Sequence, residues 1–159
     1  RSLMPTNLYG PGDNYHSENS HVIPGLIRRF HDAKKNCDEC VNVWGTGKVR
    51  REFLYVDDLA SAVSFVMGVS RRQLDAVVTP MCSHFNVGSG FDLTIAELAE
   101  AIKAVTLFEG KIQFDESMPD GTPQKRLDSS RLNNLGWSPS TSLEGGLRET
   151  YSEFLTMEV

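Results

Sequence analysis

Basic residues fall in three short groups: Arg28 with Arg29, then Lys48, Arg50 and Arg51 around a Gly45-Thr46-Gly47 turn, then Lys125 and Arg126 after Gly121-Thr122-Pro123. Each group alone reads as a solvated face. Together, in a chain of net charge -5, they are what a bound diphosphate requires, because guanidinium forks and ammonium groups compensate its charge. Trp44 stands just before the glycine turn, where its indole either joins the core or offers a face to a flat ring. His21 follows Ser20 at a predicted helix start. There the positive end of the dipole lowers the cost of a neutral imidazole, so this residue is either a proton relay or a plain polar residue near a cap.

Other constellations point away from chemistry. Asp115, Glu116, Asp120 and Asp128 have no EF-hand spacing and read as a solvated acidic loop. Cys37-Asp38-Glu39-Cys40 is a lone CxxC, and scattered His31, Cys82 and His84 do not complete a zinc set, so no metal is expected. Neither Gly45-Thr46-Gly47 nor Gly88-Ser89-Gly90 extends to the phosphate-cradling GxGxxG pattern. A Tyr-x-x-x-Lys pair is also absent, since Asp13, Asn19, Leu59 and Leu155 stand four residues after the tyrosines.

The composition narrows the class further. With 159 residues, 40% of them hydrophobic, the chain is long enough to hold a core. Acidic residues outnumber basic ones, which argues against nucleic acid or an anionic membrane as partner. No window reaches the roughly 18 apolar residues of a membrane span, and Arg1-Ser2-Leu3-Met4-Pro5 is no signal peptide. Three cysteines, an odd number, fit reduced thiols and a cytoplasmic location. The sequence opens without Met inside an apolar stretch, so a portion of a longer protein is expected.

The elements that must carry these residues follow from pattern. Residues 2 to 8 read as extended, ending in the Gly10-Pro11-Gly12 turn signal. A helix capped by Ser20 is predicted from His21 to Lys35, its apolar face Val22, Ile23, Leu26, Ile27 and Phe30. Strands are predicted at Val41 to Trp44 and Arg51 to Val56, followed by a helix capped by Asp57 or Asp58 and apolar enough all round to be buried. Residues 70 to 83 read as a loop. Phe85 to Val87 is a strand, Thr94-x-x-Glu97 is a capping box opening a helix to Val105, and Lys111 to Phe114 is a strand. A short helix follows from Ser129 to Leu135, and Thr141 or Ser142 caps a last helix with Leu143, Leu147, Tyr151, Phe154 and Leu155 on one side. The class is α/β.

Taken in order, Pro5-Thr6-Asn7-Leu8-Tyr9-Gly10-Pro11, Asn19-Ser20-His21-Val22-Ile23-Pro24, Val43-Trp44-Gly45-Thr46-Gly47, Arg51-Glu52-Phe53-Leu54-Tyr55-Val56-Asp57-Asp58, Phe85-Asn86-Val87-Gly88 and Asp120-Gly121-Thr122-Pro123-x-Lys125 resemble the C-terminal half of the GDP-L-fucose synthase family. That family is a branch of the extended short-chain dehydrogenase/reductases. The resemblance implies an NADPH-dependent epimerase and reductase acting on GDP-4-keto-6-deoxy-D-mannose. It also implies a cytoplasmic homodimer. His21 matches the family's acid/base histidine, which also approaches the cofactor. Pro5, Thr6, Asn7 and Leu8 match the segment beside the nicotinamide. Arg29, Trp44, Arg51 and Asp120 match positions that hold the GDP-sugar, and Lys125 a further basic position near the diphosphate.

The fold so implied is the substrate-binding part of such an enzyme, with residues 1–12 and about 52–90 packing with a Rossmann domain. The glycine-rich loop, the Ser-Tyr-Lys set and the partner Cys are expected outside this chain, which alone would be inactive. Other nucleotide-sugar epimerases or dehydratases, or a non-catalytic nucleotide-sugar module, stay open on the residues.

Overall fold

A computed structural model describes residues 1–157. The longest helix near the N-terminus, α1 (Val22–Asn36), buries Ile23, Leu26, Ile27 and Phe30, as the 3.6-residue spacing predicts, while Val22 stays partly exposed. Its start differs from expectation by one residue. His21 is the N-cap, in extended conformation (φ -69°, ψ 168°), and no side chain caps the helix. Ser20 sits beneath Gly25 instead, where a Cβ would meet its hydroxyl. At the other end Cys37 takes the left-handed conformation that closes the helix (φ 58°).

The central strand is β4 (Arg50–Tyr55). It pairs in parallel with β2 (Asn7–Tyr9), Asn7 opposite Phe53 and Tyr9 opposite Tyr55. It also pairs antiparallel with β6 (Asp92–Thr94) and in parallel with β8 (Gln124–Lys125), which sets Arg51 opposite Lys125. Both short partners were invisible to periodicity, having three and two residues. A separate parallel pair joins β1 (Ser2–Pro5) to β5 (His84–Val87), and another joins β3 (Cys40–Trp44) to β7 (Lys111–Asp115). The N-terminal extended stretch is therefore two strands serving two sheets, with Thr6 at the crossing.

Helix α4 (Ile95–Thr106) begins with the predicted capping box, Thr94 and Glu97 each bonding the other's backbone N–H. With α1 and α6 (Leu143–Met157) it surrounds one core of Phe30, Val43, Leu98, Ile102, Leu147 and Phe154. Ser142 caps α6 by accepting from the Gly145 N–H at 3.1 Å. A second core of Leu54, Val66, Phe85, Val87, Leu132 and Trp137 lies between α2 (Val56–Gly68), β5 and α5 (Ser130–Asn134).

Three expectations fail here. Helix α2 is not buried all round: Ala62 and Val66 are covered, but Val63 is 46% and Met67 69% exposed. A uniformly apolar sequence does not say which faces find partners. Nor do Asp57 or Asp58 cap it, since Tyr55 is the N-cap. The buried Asp58 carboxylate accepts instead from Ser140 N–H (2.9 Å), Ser140 hydroxyl (3.0 Å) and Thr141 N–H (3.1 Å), fastening the approach to α6. Finally, residues 70–83 contain α3 (Arg71–Val77), opened by a reciprocal Ser70/Gln73 capping box. Its apolar positions are too few to show a period, yet the Ser-x-x-Gln signal was there.

Candidate functional site

One cleft of about 820 Å³ gathers residues from β2, the loop after it, the start of α1, the end of β3, β4 and the loop before β8. It is lined by Thr6, Asn7, Leu8, His21, Arg29, Trp44, Arg51 and Asp120, among others. Residues distant in sequence and singled out for chemistry thus share one concavity. Pro5 and Lys125 do not line it. Pro5 is paired with Val87 at the end of β1, and Lys125 is exposed on β8, opposite Arg51 in register.

The cationic wall is built from two elements. Arg29, about two turns into α1 and half-buried, sets its guanidinium 4.4 Å over the Trp44 ring and donates to the Asn42 carbonyl at 3.4 Å. Partial burial pushes its pKa down from the ordinary arginine value, though a guanidinium stays charged. Trp44 is 52% exposed, so its indole is not part of the core. Arg51 donates through Nη1 to the carbonyls of Arg50 (2.8 Å) and Thr122 (2.6 Å).

Asp120 is not a free acceptor. Its Oδ1 accepts from the Thr46 N–H and its Oδ2 from the Thr46 hydroxyl, both at 2.7 Å. Those bonds, the hydroxyl first, hold its carboxyl below the usual aspartate range. Gly45 has φ +82°, and a Cβ there would collide with Asp120 Oδ1. Thr46 itself carried no expectation as a site residue. A hydroxyl between two glycines at a strand end was the available signal.

His21 is exposed at the N-cap of α1 and lines the same cleft. The loop that delivers it is fixed at several points. The Gly12 N–H donates to both Glu153 oxygens (2.9 and 2.8 Å), Arg28 donates to the Tyr15 carbonyl (3.0 Å), and the Glu18 and Asn19 N–H groups donate to His16 Nδ1 (3.1 and 3.3 Å).

The floor is β2, which among the described residues pairs with β4 on one edge only. The second edge of such a strand presents alternating backbone N–H and C=O groups, a donor and acceptor set that fits a carboxamide. Thr6 and Asn7 side chains are not available for that purpose. The Thr6 hydroxyl and the Asn7 amide both donate to the Glu52 carbonyl, at 3.2 and 2.8 Å.

Glu52 is a second residue that pattern reading missed. Its fully buried carboxylate accepts from the Gly90 N–H (2.8 Å) and the Leu127 N–H (2.9 Å). It therefore ties the β5–β6 turn and the segment after β8 to the strand that carries Arg51. A charged residue inside the run Glu-Phe-Leu-Tyr, on a strand with neighbours on more than one side, is the signal for such a buried hub.

Comparison with known proteins gives this arrangement a class. Residues 1–88 match the NAD dependent epimerase/dehydratase family, and the chain belongs to it. Among curated relatives, the GDP-L-fucose synthase of Escherichia coli is 54% identical over 155 residues, covering 98% of this chain and 48% of the relative. The GDP-L-fucose synthase 1 of Arabidopsis thaliana is 55% identical over 154 residues, covering 97% and 45%. A solved structure of a GDP-L-fucose synthetase from Naegleria fowleri bound to NADP superposes with a TM-score of 0.85 at 29% identity, covering 99% of this chain and 47% of that one. The chain spans about half the length of the relatives it matches.

Proposed function

We propose that this chain forms the GDP-sugar-binding part of an NADPH-dependent, multifunctional epimerase-reductase that converts GDP-4-keto-6-deoxy-D-mannose to GDP-L-fucose. The observation that carries the proposal is the convergence of Arg29, Trp44, Arg51 and His21 on one cleft. The sequence similarity to GDP-L-fucose synthases supports the choice of substrate.

Arg29 and Arg51 compensate a diphosphate from two directions, at positions set by α1 and β4. Trp44, already stacked under Arg29, offers its remaining face for packing against the nucleotide or sugar. Epimerisation beside a carbonyl needs a proton delivered to the ring after one is removed. His21 is the group in this cleft suited to deliver it, because its imidazole is exposed and free of any capping bond. Bound NADPH would supply the hydride for reduction at C4. The unpaired edge of β2, Asn7 to Tyr9 with Leu8 at its centre and Thr6 just before it, would orient the nicotinamide carboxamide.

We further infer that the chain is the C-terminal portion of the enzyme, with residues 1–12 and about 52–90 packing with a Rossmann domain. The parallel β1–β5 pair supports this, since β1 has no second partner among the described residues. A cytoplasmic homodimer is part of the same proposal, supported by the family resemblance. No helix among the described residues is long and apolar enough to cross a membrane.

Titration calorimetry of the chain with GDP and with UDP tests the substrate class. Saturable binding that favours GDP is expected. A preference for UDP would instead support a UDP-sugar epimerase, and no binding of either would refute the nucleotide cleft.

A further inference from the structure

We propose that Thr46 is a positioning residue for the anion-binding side of the cleft, acting through Asp120 and Thr122 to aim the Arg51 guanidinium. The inference rests on the nucleoside-diphosphate reading given above and adds to it a residue that touches no phosphate.

An anionic ligand and a carboxylate in the same cleft repel each other unless the carboxylate is already satisfied by the protein. Asp120 is satisfied by a single residue. The Thr46 N–H reaches one oxygen and the Thr46 hydroxyl the other, each at 2.7 Å. Two bonds to two oxygens fix both the place and the rotation of the carboxylate. The Thr46 hydroxyl oxygen also accepts from the Lys48 N–H at 3.2 Å, so the hydroxyl works as donor and acceptor at once. Valine, its isostere, can do neither.

The consequence runs along the next two residues. Gly121 turns the chain at φ +74°, and the Thr122 carbonyl then accepts from Arg51 Nη1 at 2.6 Å. The Arg50 carbonyl takes the same nitrogen at 2.8 Å. Both bonds hold Nη1, which leaves the Nε–Nη2 edge of the fork for a bidentate partner such as phosphate. Releasing Asp120 would free Thr122, and with it the aim of that edge. The resemblance assigned Asp120 to the sugar nucleotide. The geometry points to a different task, in which the carboxylate anchors the loop and the arginine meets the ligand.

The test compares wild-type chain with Thr46→Val and Thr46→Ser, using GDP and inorganic pyrophosphate as ligands in calorimetry and amide hydrogen exchange without ligand. Thr46→Val should weaken both ligands about tenfold, the scale of a lost hydrogen bond to a charged group, while Thr46→Ser retains wild-type affinity. Exchange should quicken at Arg50, whose N–H donates to the Pro123 carbonyl at 2.8 Å, in Thr46→Val alone, with α1 unchanged. Wild-type affinity in Thr46→Val, failure of serine to rescue, or exchange quickened throughout α1 would overturn the proposal. The two failures separate cleanly. A wild-type chain that binds neither ligand sinks the diphosphate reading, whereas unaltered exchange at the Arg50 N–H in Thr46→Val sinks the clasp itself.

Discussion

The Arg29 guanidinium lies 4.4 Å above the Trp44 ring, which joins α1 to the end of β3 and places a cation and an aromatic face together in the lining of the cleft. Cation–π pairs of this kind contribute roughly 0.5–2 kcal/mol depending on solvation. That contact orients the charge more than it stabilises the fold. Arg29→Ala should therefore lower GDP affinity about tenfold while shifting the thermal midpoint little, as checked by calorimetry beside differential scanning. Because Trp44 is half-exposed and Trp137 is buried, GDP should also change the fluorescence of the wild type and not of Trp44→Phe.

Glu52 and Gly88 form a matched pair. A Cβ on Gly88 would collide with the Glu52 carboxylate, which is fully buried and held by two backbone N–H groups. Gly88→Ala should destabilise the chain by about 1–3 kcal/mol through overpacking. Glu52→Gln should cost about as much, since its amide would present a donor to an N–H group. Urea unfolding monitored by Trp137 fluorescence measures both.

Much of this arrangement was legible from residue types. The α1 face, the Thr94/Glu97 capping box and the Gly-Thr-Gly turn announced themselves because each depends on neighbours within a few positions. What the sequence could not show depends on distant chain. The two-residue β8 exists only because β4 is beside it, Asp58 serves residues 140 and 141 rather than its own helix, and Glu52 is buried only because Gly88 lacks a side chain. In the cleft, Arg29, Trp44, Arg51 and His21 were all singled out by residue type and resemblance, and all four line it. The occupancy of Asp120 by Thr46 was not legible, since a carboxylate 74 residues away along the chain leaves no local pattern.

Acid should weaken the fold through a defined set of carboxylates. Thr46 holds the Asp120 carboxyl below its ordinary range, Gln124 and then Arg50 do so for Asp92, Thr94 for Glu97 and Ser130 for Asp128. A carboxyl with a depressed folded pKa contributes stability that is present above its unfolded value and lost as pH falls through the folded one. The thermal midpoint should hold from neutral pH to about 4, the unfolded carboxylate range, and drop below it. Asp120→Asn should make that drop shallower.

Alkali should act through tyrosines with the opposite sign. Burial, with Glu153 and Asp13 adding to it, pushes Tyr15 up to about 12, and burial likewise raises Tyr9 and Tyr55. A group raised in the folded state contributes stability that is complete below its unfolded pKa, roughly 10 for tyrosine, and lost as pH rises through the folded value. Stability should decline from about pH 10 upward. Tyr15→Phe should reduce the decline, as read from denaturation midpoints against pH.

The most direct measurement is nitrogen–proton correlation spectroscopy of the chain during titration with GDP. The largest shifts should fall on the Trp44 indole, the Arg29 and Arg51 side chains and the backbone from Ser20 to Val22. Shifts confined to the surface around Arg126, Ser129 and Asn133, or no saturable shifts at all, would contradict the account.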